Sequence, residues 1–438
     1  MQLEHFLQPY EFIPPKPGTF WCWLFSFQVV PRLQRTYGVH EHEFRGLDHL
    51  KDSLRRNAGI LLAPNHCRYA DPPVLGLLSL EAKQYFYYAA SWHLFMQKRF
   101  HRWVFPRVGV YSVFREGADR DMVRETVRIL EEAERPVVMY PEGTFYRQND
   151  KLGPFQEGVT FIARRAASKA KRPILIHPVA IKYWFTEDPR QAIAERLDRL
   201  EKHFFWEPEN RGNALERVLR IITGYMAVRE VEYLGRNLSD GLERRITHLT
   251  DQLLTRLEKQ VLGQEKSGVA MERLRIVRQA VVRELRGTVS GSAEQAQVLR
   301  TLRDTGICQQ IISQDVPYLL DNPSEERLAE TIQRHEEDLL GFEKPIAKMG
   351  VVVEILPALN VADFPEGRRG EEGAFNGLTA RIGKDIQSAI DRMILEGPPR
   401  QWQSAHAWRS QLPPNKPADS PDRSRPTSPE GSQPSVLK

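Results

Sequence analysis

The sequence predicts an α/β protein: a central, mostly parallel mixed sheet flanked by helices and interrupted by a large all-helical insertion. Three observations carry this. From about residue 45 to 185, short β-branched or aromatic runs alternate with helical stretches, the pattern of strands joined by crossover helices. From 186 to 345 strand signals vanish. Ile246, Leu249, Leu253, Leu257 and Val261 step by three and four, as do Leu274, Val277, Val281 and Leu285, with arginines and glutamates on the other faces. The run GVVVEIL at 350–356 then restores a buried strand, and 378–395 reads as a closing amphipathic helix.

Taken in order, residues 1–44 form an N-terminal segment whose one membrane-like stretch is FWCWLFSFQVV at 20–30. Eleven helical residues rise about 17 Å against about 30 Å of bilayer hydrocarbon, so this run cannot span. Its tryptophans and phenylalanines suit either a membrane interface or a buried first helix. Glu4 and Glu11 precede it with Lys16 as the sole lysine, unlike a secretory leader. The expected location is cytoplasmic, peripherally associated with a membrane. In the core, 45–185, strands are expected at 59–63, 84–89, 110–114, 137–140 and 174–182, and helices begin near Asp71, Gln97, Asp119 and Gly158. The helical insertion occupies 186–345 and is broken by Gly263, Gly268 and Gly287, which excludes a continuous coiled coil. Residues 346–398 return to the core. The tail from 399 to 438 is rich in proline and serine, cannot bury enough surface to order itself, and is expected to be disordered.

Composition narrows the function classes. The 438 residues carry 62 Lys and Arg against 57 Asp and Glu, a net charge of +5, with 41% hydrophobic and 27% charged residues. That describes a globular chain and excludes a polytopic membrane protein. The mild basic excess suits an anionic surface or phosphorylated substrate, and is too dilute for nucleic acid. Three widely spaced cysteines exclude a disulfide framework.

Four segments carry chemistry. In LLAPNHCRYADPP, His66 leaves a strand at its C-terminal end, where α/β sheets place ligands, and Asp71 follows five positions on. Aspartate before two prolines is also an ordinary helix cap. A carboxylate so fixed can orient an imidazole and stabilise its protonated form. Cys67 is expected to point away, which disfavours a thiol nucleophile. In VVMYPEGTFYRQND, a strand enters a Pro-Glu-Gly-Thr turn that brings Glu142 and the amides of Gly143 and Thr144 to the same edge, where they suit an anion or a developing oxyanion. In GVYSVFREG, Arg115 ends a strand where its guanidinium can fork onto a phosphate. The strand around His177 carries little specificity. His40 and His42 lack further ligands for a metal site.

The order of these segments resembles the glycerolipid acyltransferase family, over roughly residues 45 to 185. A strand ends in Asn65-His66 with Asp71 beyond it. A Gly…Phe-Arg strand, a Pro-Glu-Gly-Thr turn and a Pro-Val-Ala-Ile strand follow. The resemblance implies an O-acyltransferase that moves a fatty acyl group from acyl-CoA or acyl carrier protein to a hydroxyl of lysophosphatidic acid or glycerol-3-phosphate. His66 would be the general base and Asp71 its partner, with Arg115, Glu142 and Gly143 holding the acceptor. Asn65, Arg68, Thr144 and Arg147 complete the implied substrate contacts. The implied partners are the thioester donor, the phosphorylated acceptor and a membrane surface. No metal or resident cofactor is expected, and no nucleic acid. Two departures bear on the acceptor: the arginine that usually follows Glu-Gly-Thr is Phe145, and the serine two positions after the histidine is Arg68. The alternatives are a lipid esterase, which lacks a Gly-x-Ser-x-Gly elbow here, and a membrane-surface scaffold with a decayed site.

Overall fold

Strands of two to twelve residues, mostly apolar, assemble in the computed structural model into one eight-stranded mixed sheet. The described residues are 6–117, 119–207, 212–341, 344–364 and 377–402. The strands are β1 (Val39–Arg45), β2 (Gly59–Pro64), β3 (Tyr87–Ser91), β4 (Val110–Val113), β5 (Val137–Val138), β6 (Ile174–Phe185), β7 (Met349–Ile355) and β8 (Leu359–Asn360). They lie in the order β1-β7-β6-β2-β5-β3-β4, with β8 paired to β6. Strands β6, β2, β5, β3 and β4 are mutually parallel, with Leu61 opposite both Ile176 and Val137. Strand β7 runs antiparallel to β6, Val179 facing Ile355, and β1 lies parallel to β7.

Alternation along β2 divides the core into two layers, since successive side chains leave opposite faces. Leu61 and Ala63 pack with the helices Arg120–Glu132, Gly158–Ala167 and Gly377–Glu396. Ile60 and Leu62 pack with the helices Val29–Tyr37, Leu47–Arg55 and Asp71–Glu81. All twelve residues of β6 are buried, as expected of a strand covered on both faces.

Several boundaries differ from the sequence pattern for local reasons. The strand expected at 84–89 begins at Tyr87, because Lys83 turns the chain with φ +52° and pairing starts where Tyr87 donates to the Pro136 carbonyl. Strand β6 runs three residues past 182 because its antiparallel partner β7 continues alongside it. The run at 20–30 is two helices, Phe20–Ser26 and Val29–Tyr37. Of the segment expected to be disordered, residues 403–438 lie outside the described residues, whereas Trp402 is buried against Gly350, where an added Cβ would lie 2.7 Å from the indole.

Between β6 and β7 every described element is a helix: Arg190–His203, Ala214–Leu234, Leu242–Leu262, Ala270–Leu285, Ala293–Ile312, Val316–Asp321 and Glu325–Leu340. Their apolar faces form a core of their own. Caps set their ends: Asn213 and Glu216 form a reciprocal capping box, and Ser292, Asp315 and Ser324 each accept a bond from a main-chain amide of the first turn. Glu201, Glu230 and Glu258, all buried, are each paired with an arginine of the next helix, Arg217, Arg245 and Arg273.

Candidate active site

The site is built where β2 ends. Pro64 finishes the strand, and Asn65 anchors the loop that follows by pairing with the main chain of β6: its Nδ2 donates to the Ile181 carbonyl at 3.0 Å and its Oδ1 accepts from the Ile181 amide at 2.7 Å. With both ends of its amide so committed, Asn65 shapes the loop rather than facing a ligand.

Asp71 begins the helix Asp71–Glu81 but does not cap it. The two residues that follow are prolines, which have no amide hydrogen to offer. The carboxylate folds back over its own loop instead. Oδ2 accepts from the amides of Cys67 and Arg68 at 2.8 and 2.9 Å and contacts His66 Nδ1 at 2.8 Å, while Oδ1 accepts from the Tyr183 hydroxyl at 2.7 Å. Asp71 is fully buried, and the His66 side chain is 19% exposed. With Nδ1–H donating to Asp71, the lone pair of Nε2 is left to accept a proton. The Tyr140 ring stacks on the imidazole at 4.0 Å, and Phe145 lies 5.0 Å from it.

The Cys67 thiol is enclosed 3.9 Å from Asp71 Oδ1, and burial, reinforced by that carboxylate, raises its pKa well above the ordinary thiol value. Such a group is neither a thiolate nor accessible to a substrate.

Glu142 enters from the loop after β5. Its Oε1 accepts from the His66 amide at 2.7 Å and its Oε2 from the Gly153 amide at 2.9 Å. Burial raises its pKa to about 7 despite those two amides, with Asp71 adding to the rise. The carboxyl group therefore ties two loops together from beneath and does not face a ligand. Gly143 adopts φ +64°, and a Cβ there would lie 2.4 Å from Gln156 Nε2, so the turn requires glycine. Its amide donates to the Tyr140 carbonyl at 3.1 Å and closes the turn, which removes it as the expected oxyanion donor. Thr144 is half-buried on the same loop.

Arg115 follows β4 and joins three loops of the sheet edge, donating through Nε to Ser91 Oγ at 3.2 Å and through Nη1 to the Gly143 carbonyl at 3.1 Å. Arg68 and Arg147 are turned elsewhere. The Arg68 guanidinium is buried and donates to Glu330 and Gln333, both at 3.2 Å. Arg147 pairs with Glu337 and donates to the Tyr69 hydroxyl at 3.1 Å. The acidic partners of both belong to the helix Glu325–Leu340, and Gln279 of another insertion helix donates to the Arg115 carbonyl at 3.4 Å. The insertion thus lies over the same sheet edge as His66.

Tyr183, Tyr140 and Tyr69 escaped the sequence reading. Tyr183 had a signal, since the apolar run of β6 continues through Tyr-Trp-Phe and alternation puts residue 183 on the face of Ile181. Glu330 and Glu337 had none, lying more than 260 residues from the loop they meet.

Among the described residues no group of His, Cys, Asp and Glu is arranged to hold a metal ion, and no helix is long and apolar enough to cross a membrane. Residues 45–182 match a protein-family model described as Acyltransferase. This stretch is an acyltransferase domain, of the glycerolipid acyltransferase family. A comparison with curated proteins found no match. The acyltransferase domain contains β2 to β5 whole and nearly all of the site, ending within β6 one residue before Tyr183. The insertion, β7 and the closing helix lie beyond it.

Proposed function

We propose that the protein transfers a fatty acyl chain from a carrier thioester to a hydroxyl of a glycerolipid acceptor, with His66 as general base and Asp71 as its positioning partner. The observation that supports this most directly is the 2.8 Å contact between His66 Nδ1 and Asp71 Oδ2 at the end of β2, inside the acyltransferase domain. His66 Nε2 takes the proton of the acceptor hydroxyl as its oxygen attacks the thioester carbonyl. The tetrahedral intermediate collapses by breaking the carbon–sulfur bond, and the imidazolium returns the proton to the departing thiolate. Asp71 stabilises the imidazolium between these steps. A thiol of pKa about 8.5 leaves readily, so activation of the alcohol is the harder task, and a positioned base contributes about 10²- to 10⁴-fold. Bringing the two substrates together supplies more. The acyl group passes directly between substrates, and the donor, acyl-CoA or acyl carrier protein, is a co-substrate.

A peripheral membrane position fits a lipid acceptor. Phe20, Trp23, Leu24 and Phe27 are exposed around the first helix, and Phe100 and Trp103 are exposed on the helix Arg99–Arg107. Rings of the two groups touch, Trp21 lying 5.0 Å from Trp103, and Lys98, Arg99 and Arg102 border them. Aromatic rings beside cations suit the headgroup layer of an anionic bilayer.

The test uses the full-length protein with radiolabelled acyl-CoA and a panel of lysolipids. Wild type yields acylated lipid, and His66→Ala lowers that rate by at least about a hundredfold while the protein stays folded. Free fatty acid as the main product of the wild type refutes transfer in favour of hydrolysis. Wild-type activity in His66→Ala refutes the assigned base.

A further inference from the structure

We propose that Arg68 and Tyr69 are positioning residues through which the insertion helix Glu325–Leu340 fixes the His66–Asp71 pair, which makes the insertion part of the acyl-transfer apparatus. This deepens the acyl-transfer reading and rests on it.

A single oxygen organises the loop from His66 to Asp71. Asp71 Oδ2 contacts the His66 ring at 2.8 Å and accepts from the Cys67 and Arg68 amides at 2.8 and 2.9 Å. A displacement of the Arg68 main chain therefore moves the carboxylate that orients the imidazole. The first half of the loop is tied to the acyltransferase domain itself, Asn65 to Ile181 and the His66 amide to Glu142. The side chains of the second half reach the insertion. Arg68 Nη1 donates to Gln333 Oε1 and its Nη2 to Glu330 Oε1, both at 3.2 Å, and the Tyr69 hydroxyl donates to Glu337 at 2.9 Å. The Arg68 guanidinium also lies 5.4 Å from the ring centroid of Tyr183, whose hydroxyl donates to Asp71.

Glu330, Gln333 and Glu337 follow one another by three and four residues, so they share one face of their helix. That face is itself fastened. Glu330 Oε2 accepts from the Tyr318 hydroxyl at 2.9 Å, and Gln333 Nε2 donates to the Lys344 carbonyl at 3.0 Å. One turn earlier, Glu326 accepts from the Phe185 amide of β6 at 3.0 Å. The clamp does not depend on the charge of Glu330. Burial raises its pKa to about 7, and either form of the carboxyl keeps an oxygen that accepts from Arg68. Misplacing a catalytic group by about 1 Å can cost on the order of a hundredfold in rate. Releasing the second half of the loop should therefore lower kcat and leave substrate binding intact.

The test compares two buried ion pairs in the full-length protein, assayed with radiolabelled acyl-CoA and the lysolipid that the wild type acylates fastest. Arg68→Met combined with Glu330→Met removes the clamp. Glu230→Met combined with Arg245→Met removes a pair of the same chemistry between two insertion helices, away from the loop. Replacing both partners by apolar side chains strands no charge, so both double variants are expected to fold, with melting curves recorded for each. The clamp variant should lose about tenfold to a hundredfold in kcat, with KM for both substrates within about twofold of wild type. The control pair should keep the wild-type kcat. Gln333→Met, a neutral exchange of similar length, should lower kcat by about threefold at unchanged KM, and it decides the matter if the clamp variant does not fold. Equal losses of kcat in the two double variants, wild-type kcat in the clamp variant or in Gln333→Met, or a change confined to KM each overturns the proposal. All of these leave the acyl-transfer reading standing, whereas a wild type that forms no acylated lipid removes both.

Discussion

The Asp71 carboxylate meets two main-chain amides, the Tyr183 phenol and the His66 ring, and it is fully buried. A buried carboxylate supplied with that many donors is held stationary, which is what a base needs from its partner. Tyr183 is the donor that comes from farthest away, 112 residues along the chain. Tyr183→Phe keeps the ring and removes only the hydroxyl, and a hydrogen bond to a charged group contributes about 1.5–3 kcal/mol. The expected outcome is a fall in kcat of about tenfold, with KM for the thioester little changed, measured by steady-state kinetics beside a melting curve. Retention of full kcat would show that the phenol contributes packing alone. At this scale the sequence was informative wherever chemistry sits in a short segment at a strand end. His66, Asp71, Glu142, Gly143 and Arg115 were all located that way, and the structure gathers them at one edge. Their duties were less legible, because Glu142 and Asn65 serve the loops rather than a ligand, and that depends on which strand lies alongside.

The helix Glu325–Leu340 shows what periodicity leaves out. Arginines and glutamates fill its faces away from the apolar stripe, yet Glu326, Arg327, Glu330, Arg334, His335 and Glu336 are all buried, because the helix lies between the sheet edge and the bundle with neighbours on both sides. Helical spacing identifies an element and its apolar stripe; it does not say whether the polar stripe meets water or another protein surface. Most of these charges find partners: Glu326 accepts from the Phe185 amide, Glu336 from Arg196, and Arg327 donates to Asp150. His335 does not, since neither ring nitrogen has a hydrogen-bond partner, and burial, with Arg334 nearby, lowers its pKa to about 3. His177, between Ser53 and the Leu356 carbonyl, is lowered to about 4, again by burial first. An unfolded histidine titrates near 6.5 and binds protons that the folded ring refuses. The contribution of these two histidines to stability is therefore full above about pH 6.5 and falls as pH drops from there toward 4 and then 3. His335→Leu should remove part of this loss, melting closer to the wild type at pH 8 than at pH 5, where the difference in its favour should widen by about 2 kcal/mol. Equal pH dependence in the two proteins would contradict a neutral, unpaired imidazole.

Across the whole molecule, the α/β class and the helical interruption were legible because both rest on long runs of consistent period. The position of the insertion over the sheet edge was not, because it is fixed by contacts such as Arg68 with Glu330 and Tyr69 with Glu337, each joining distant parts of the chain. The aromatic surface lies on the N-terminal helices and the helix Arg99–Arg107, two elements that are separate in sequence and adjacent in the fold. Replacing Trp23, Phe27 and Phe100 together by serine should weaken sedimentation with phosphatidylglycerol-containing vesicles by roughly tenfold per ring, with the melting temperature unchanged because all three rings are exposed. Undiminished vesicle binding by the triple variant would assign membrane contact to another face. The hydrogen-bonded chain from Lys182 through Asp150, Arg327, Tyr318 and Glu330 to Arg68 has one more consequence. Trimming the gene to its recognisable catalytic third would leave Arg68 without its counter-ion and open this interior to solvent. Removing one member of a buried pair is worth about 3–5 kcal/mol, a large part of what holds a typical domain together. A truncated product should therefore precipitate rather than turn over, and inactivity of such a fragment would say nothing about the chemistry of the intact enzyme.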